Sequence, residues 1–226
     1  MPLAPSPQTL APVIAIDGPS ASGKGTVAQR VAQQLGFHYL DSGALYRIVA
    51  LAAERAGVEW NDGDSLAHLA AGLEIVFDGD EILLNGENVA AAVRSEAMGK
   101  GASEVAVHQA LRSQLLSLQH GFRREPGLVA DGRDMGSVVF ADAETKVFLT
   151  ASSQVRAERR YKQLIEKGNH AILPHVFADI EARDARDKSR TSAPLVQCVD
   201  AMFLDTSQLT IDEAVEKVLQ HYRHNI

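Results

Sequence analysis

The segment VIAIDGPSASGKGT (residues 13–26) organises everything around it. Val13-Ile14-Ala15-Ile16 is apolar without alternation, the pattern of a strand buried on both faces of a parallel sheet. Beyond it Val27, Val31 and Leu35 recur at four-residue spacing, predicting a helix that stops at Gly36. Between strand and helix, Gly18-x-x-x-x-Gly23-Lys24 has the spacing of a phosphate-binding turn. Backbone N–H groups of such a turn converge on phosphate oxygens, the helix N-terminus adds partial positive charge, and Lys24 adds a full one. The whole loop, Gly18, Pro19, Ser20, Ala21, Ser22, Gly23, Lys24, Gly25 and Thr26, is therefore a candidate nucleotide cradle. Gly25 stands where switch and motor proteins place the Ser or Thr that holds Mg²⁺, and the hydroxyl moves to Thr26. Mg²⁺ is then expected to be held by nucleotide phosphates and water, while glycine lets backbone and phosphate approach closely.

The remaining elements follow the same alternation. Phe37 to Leu40 predicts a second strand, punctuated by Asp41-Ser42-Gly43, and Ala44 to Ala56 a helix stopped by Gly57. Leu73 to Phe77, the turn Asp78-Gly79-Asp80, Ile82 to Leu84 and Asn85-Gly86 predict a small antiparallel meander inserted into the α/β core. A long helical region from about Arg94 to Phe122, broken near Val107, comes next. Leu128-Val129-Ala130 and Lys146 to Leu149 are further strands, the first closed by Asp131-Gly132. Ser152 or Ser153 can cap a helix running to Gly168, and another helix is expected from about Pro174 to Ser189. Met202-Phe203-Leu204 is the last strand, and Thr210 to Glu213 a capping box opening the last helix. Strands alternating with helices make a mostly parallel sheet covered on both faces.

The 226 residues suffice for one such domain, with 46% hydrophobic and 23% charged residues, as in an ordinary globular protein. A net charge of −7 argues against nucleic acid as a partner. The one cysteine, Cys198, excludes an intrachain disulfide and suits a reducing cytoplasm; beside Val196 and Val199 it is expected to be buried packing. MPLAPSPQTLAP, with four prolines, is expected to be an extended lead-in rather than a signal peptide. No apolar run reaches the length of a membrane span. The eight histidines show no metal spacing.

Four blocks in order carry a narrower resemblance: IDGPSASGKGT, LDSGALYR (residues 40–47), DGRDMGSVVF (residues 131–140) and RDARDKSR (residues 183–190). GKGT is the form this loop takes in nucleoside monophosphate kinases, and together the blocks resemble the bacterial cytidylate (CMP) kinases from about Val13 to the C-terminus. The resemblance implies phosphoryl transfer from ATP to CMP or dCMP with Mg²⁺. It also implies a five-stranded parallel sheet with flanking helices, a monophosphate-binding region carrying the antiparallel insertion, and a helical lid. On that pattern the single kinase domain divides into a core (about 12–41, 124–152 and 191–226), a monophosphate-binding region (about 42–123) and a lid (about 153–190).

The resemblance also distributes roles. Arg47 and Arg133 hold the CMP phosphate, Ser42 and Asp134 accept from the cytosine amino group, and Arg112 and Arg190 donate to the carbonyl and N3 side. Arg183 and Asp187, with Ser103, meet the pentose hydroxyls; spacing alone would place Arg183, Asp187 and Arg190 on one helix face as an ion-pair ladder. Arg156, Arg159 and Arg160 look like lid arginines closing on ATP, each equally compatible with facing solvent. Lys24, Arg47, Arg133, Arg156 and Arg160 form the expected catalytic set, while no residue is expected to ligate the metal directly. Asp131 and Thr26 are candidates to reach it through water, the alternative for Asp131 being to order its own turn. Two other readings remain: another small kinase of this fold, acting on UMP, AMP or a different acceptor, and a nucleotide switch. The second is disfavoured by Gly25 and by the absence of an N-K-x-D segment. A monomer is the default expectation.

Overall fold

β1 (Val13–Asp17) is fully buried and divides its side chains by parity. Ile14 and Ile16 join the hydrophobic cluster on one face of the sheet, and Val13 and Ala15 the cluster on the other. Such two-sided burial is what an uninterrupted apolar strand needs. In this computed structural model, which describes residues 10–78 and 81–225, β1 is the centre of a five-stranded sheet. On one side β1 pairs with β6 (Leu128–Gly132), which pairs with β2 (His38–Asp41). On the other it pairs with β7 (Thr145–Thr150), which pairs with β8 (Met202–Asp205). The order is β2-β6-β1-β7-β8 and every pairing is parallel.

One face is covered by α1 (Lys24–Leu35) and α9 (Ile211–Asn225), with Val27, Val31, Val215 and Val218 packed on Ile14 and Ile16. Gly36 ends α1 in the left-handed region at φ 67°. At the start of α9 the capping box forms, Thr210 N and Oγ1 donating to Glu213 and Glu213 N to Thr210 Oγ1. The other face is covered by α2 (Ser42–Ala56), which carries Leu45, Ile48 and Val49 into the larger cluster. The five-stranded parallel sheet, its flanking helices and a separate three-stranded antiparallel sheet together make the P-loop nucleoside monophosphate kinase fold.

The insertion holds more than the meander. α3 (Gly63–Ala71) precedes β3 (Ile75–Asp78), β4 (Glu81–Leu84) and the two-residue β5 (Glu87–Asn88). Residues 79–80 of the expected Asp78-Gly79-Asp80 turn, and residues 1–9 of the proline-rich lead-in, lie outside the described residues. The long helical region is α4 (Ala90–Val93), α5 (Glu96–Val105) and α6 (Gln109–His120). Its main break lies across residues 106–108, at the position expected. A π-helical turn, Met135–Val139, follows β6.

α7 (Ser153–Glu166), capped by Ser152 Oγ, and α8 (Leu173–Ser189), with proline in its first turn, pack through Ala157, Leu164, Val176 and Ile180 as a hairpin with its own small core. Two details differ from expectation. Arg190 is the residue beyond α8, in extended conformation (φ −58°, ψ 133°), because the chain turns there and Leu195 N–H takes the Asp187 carbonyl. Cys198 is only half-buried and Val199 fully exposed, so that segment packs loosely rather than as core. Among the described residues no helix is long and apolar enough to cross a membrane.

Candidate active site

The loop after β1 is shaped by what lies behind it. A Cβ on Gly18 would fall 1.9 Å from the Leu149 carbonyl oxygen of β7, so only glycine lets the chain leave the sheet there. Ala21 (φ 57°) and Gly23 (φ 91°) adopt left-handed conformations that curl the turn into α1. Its carbonyls are tied down from outside. Arg156 donates to Ser20 O at 3.3 Å, and Arg159 and Thr206 Oγ1 donate to Ser22 O at 3.1 and 3.2 Å. The Ser20 and Ser22 hydroxyls are buried and have no hydrogen-bond partner among the described residues.

Lys24 opens α1 and reaches Asp131 at the end of β6, Nζ to Oδ1 3.4 Å. The Tyr39 hydroxyl donates to the other Asp131 oxygen at 3.4 Å. Gly25 is wedged against this pair, 3.0 Å from built Cβ to Asp131 Oδ2. Burial pushes the Asp131 carboxyl up, Lys24 opposing it; burial and then Arg133 push the Lys24 amine down.

On the far side Asp41 caps α2 by accepting from Ala44 N at 3.0 Å, which places Ser42 in the first turn and Arg47 one turn further. Arg47 donates to the carbonyls of Val93 and Ser95, both at 3.2 Å. Gly99 of α5 lies flat against its guanidinium. The Ser42 hydroxyl is packed on the backbone of Gly132, next to the Arg133-Asp134 turn. Asp134 is buried and ion-paired with Arg112, which also donates to Ala106 O at 3.3 Å and stacks over Tyr46 at 5.7 Å. Burial pushes the Tyr46 phenol up to about 12. Arg133 donates to Asp187 at 2.7 Å, and Asp187 pairs in turn with Arg190. Burial works against the Asp187 charge, but these two arginines hold its carboxyl below the usual range.

Arg183 carries a charge that Asp187 compensates only in part. Its Nε is buried without a hydrogen-bond partner, and burial, then Arg133, push the side chain down to about 9. Ser103 accepts from Arg186 at 3.4 Å, not from Arg183. Arg186 was available to sequence reasoning inside RDARDKSR, one helical turn from Arg183, but nothing in the spacing ranked it. Tyr39, Glu96 and Asp184 also went unnoticed, for a different reason: each acts through a partner far away in the chain.

The three arginines of α7 separate. Arg160 faces the cleft and forms an ion pair across it with Glu96 at the start of α5. Arg156 is 3% exposed and bound to both Asp184 oxygens (3.1 and 2.6 Å), Ala151 O and Ser153 Oγ, so it joins α7 to α8 and to the loop. Arg159 is held by Thr206 O at 2.7 Å as well as by Ser22 O. The space between sheet, insertion and hairpin is a cleft of about 1090 Å³, lined by Lys24, Arg47, Asp131, Arg133, Arg160 and Arg183. Among the described residues its whole lining carries nine lysine and arginine side chains against four carboxylates, a balance built for polyanions. Among the described residues no His, Cys, Asp and Glu cluster could hold a metal ion by itself.

The family model for cytidylate kinase matches residues 14–224. The cytidylate kinase of Cupriavidus necator is 58% identical over 214 residues, covering 95% of this chain and 96% of its own. That of Polynucleobacter necessarius is also 58% identical, covering 95% of this chain and all of its own. Among solved structures, an uncharacterized protein from Eubacterium ventriosum superposes with a TM-score of 0.53 over 94% of this chain and 98% of that one, at 9% identity, a likeness of fold alone. The chain belongs to the cytidylate kinase family.

Proposed function

We propose a division of labour by which this member of the cytidylate kinase family carries out ATP-dependent phosphorylation of CMP. One observation carries it: Lys24, Arg47, Arg133, Arg160 and Arg183 converge on a single cleft beside the glycine-rich loop. The ATP phosphates lie on residues 18–26, with Lys24 at the terminal ones. Arg47 and Arg133 grip the CMP phosphate, and Arg183, Asp187 and Ser103 face its pentose. The buried Asp134–Arg112 pair, with Ser42 and Arg190, meets the cytosine edge. The acceptor is itself a phosphate, largely ionised at neutral pH because its second pKa is ~6, so the protein supplies no general base. Its work is alignment and neutralisation of charge between two anions that repel.

Mg²⁺ accompanies ATP. Asp131 and Thr26, both on the cleft wall, are the residues that fit it, through bound water rather than directly. When present it supplies charge neutralisation on the transferring phosphates. Arg160 is the lid cation that meets ATP, whereas Arg156 and Arg159 act from behind, keeping loop and hairpin in register. Hairpin closure over both substrates keeps water from competing as acceptor. The core (about 12–41, 124–152 and 191–226) thus carries ATP, the region at about 42–123 carries the monophosphate, and the region at about 153–190 closes the site. The protein works as a cytoplasmic monomer and accepts dCMP as well as CMP.

ADP formation from Mg·ATP, measured with CMP, dCMP, UMP, AMP and no acceptor, tests this assignment. ADP dependent on CMP and dCMP, weaker with UMP and absent with AMP, is expected. Equal rates with CMP and UMP would remove Asp134 and Ser42 from the base edge, and equal ADP without acceptor would remove the acceptor site.

A further inference from the structure

Asp134 stands where a helix-capping residue normally spends its side chain. It is the residue before the π-helical turn Met135–Val139, yet its carboxylate makes no cap hydrogen bond and goes to Arg112 instead. The first two N–H groups of the turn are not left bare, and the second of them, on Gly136, is one that an Asp134 cap would have taken. Asp17, the last residue of β1, accepts from Met135 N through Oδ1 and from Gly136 N through Oδ2, both at 2.8 Å, across 118 and 119 residues of sequence. Asp17 is 5% exposed, and among the described residues no side chain bonds its carboxylate. Its cost is visible: burial pushes its carboxyl up to about 7 even though both N–H groups pull the other way. A buried carboxylate held against such a penalty needs a compensating role.

We propose that Asp17 is a positioning residue: by capping the turn after β6 from a distant strand, it releases the Asp134 carboxylate for the acceptor base. The same residue is joined by one peptide bond to Gly18, the first residue of the phosphate loop. The donor loop and the acceptor-reading turn are therefore fixed to each other through one side chain, in addition to the parallel pairing of Asp17 with Gly132. If Asp17 could not accept both bonds, the capping preference of an aspartate at position 134 would turn its carboxylate back on its own backbone, away from Arg112. The inference rests on the assignment of Asp134 to the base edge, and its test separates the two.

Asp17→Asn preserves shape but replaces one acceptor oxygen with an N–H donor facing a backbone N–H. The kinetics of Asp17→Asn, Asp134→Asn and the double variant with CMP and UMP distinguish the outcomes, with thermal melting to confirm folding. Expected for Asp17→Asn is a KM for ATP within about twofold of the parent, a KM for CMP raised about tenfold, and a CMP-over-UMP ratio of kcat/KM lowered about tenfold. That is the scale of one hydrogen bond to a charged group. In the double variant the ratio should fall no further than in Asp134→Asn alone. A folded Asp17→Asn with unchanged CMP:UMP ratio overturns the proposal, as does a double variant whose losses multiply. An unchanged ratio in Asp134→Asn overturns the base-edge assignment and with it the route through Asp134. Should Asp17→Asn yield no folded protein, Asp17→Ser, which keeps one acceptor without charge, is read by the same ratios.

Discussion

A side chain at position 25 would place its Cβ 3.0 Å from Asp131 Oδ2 and 3.7 Å from the Tyr39 hydroxyl. Glycine here therefore answers to the protein as well as to phosphate, because the second residue of α1 is pressed against the carboxylate that pairs with Lys24. Two effects of opposite sign meet in Gly25→Ala. Alanine in the first turn of a helix gains up to about 1 kcal/mol over glycine, while overpacking a tight contact costs about 1–3 kcal/mol. The contact should win, lowering stability by about 1 kcal/mol and kcat by about tenfold as Asp131 and Lys24 separate. In an Asp131→Ala background the same change should become neutral or stabilising. Paired denaturation curves of the four proteins check the coupling, and simple additivity would place the cost elsewhere. The sequence revealed that Gly25 was unusual, but the carboxylate beside it is 106 positions away, and no spacing argument reaches that far.

Elements built on long apolar continuity, such as β1 and β6, could be read from residue order because nothing else satisfies such a run. α3 was missed for the converse reason: it buries only Leu66, too little for a periodic signal, and depends on its Asp62 cap. The π-helical turn was equally hidden, its capping acceptors coming from β1. The helix α7 shows what periodicity can and cannot settle. Arg156, Arg159 and Arg160 share a face by spacing, yet one is locked to Asp184, one to Thr206 and the loop, and one crosses the cleft to Glu96. Their substitutions should therefore differ in kind. Arg156→Ala leaves Asp184 nearly buried without its partner and should cost about 3 kcal/mol of stability. Arg160→Ala breaks only a half-exposed pair, worth less than about 1 kcal/mol. It should nonetheless cut kcat by about a hundredfold through the loss of one cation at the transferring phosphates. Melting temperatures beside single-turnover rates decide it; equal melting losses for the two variants would contradict the assignment.

The protein as a whole is acidic, with a net charge of −7, yet encloses a cationic cleft whose members disfavour one another. Lys24, Arg47, Arg160 and Arg183 are all pushed below their usual range, by burial first and then in part by neighbouring cations, Arg133 among them for three of the four and Arg47 for Arg160. Asp187 and Asp131 compensate only some of that charge, and Arg183 keeps a buried Nε with no partner. Charge held in this way is stability given up for a bound polyanion, so binding should return it. Pyrophosphate at about 100 times its dissociation constant should stabilise the protein by about 2.7 kcal/mol, a rise of several degrees in melting temperature. Cytidine, which offers the base and sugar without phosphate, should do far less. Arg183→Met removes a partly compensated charge while keeping a long apolar stem, and should raise the melting temperature of the ligand-free enzyme while shrinking the pyrophosphate increment. Its kcat/KM for CMP should fall by tenfold or more, because the charge that destabilises the empty cleft is the one the substrate pair needs. A variant that loses activity without gaining ligand-free stability would show instead that the Arg183 charge is already satisfied before any polyanion binds.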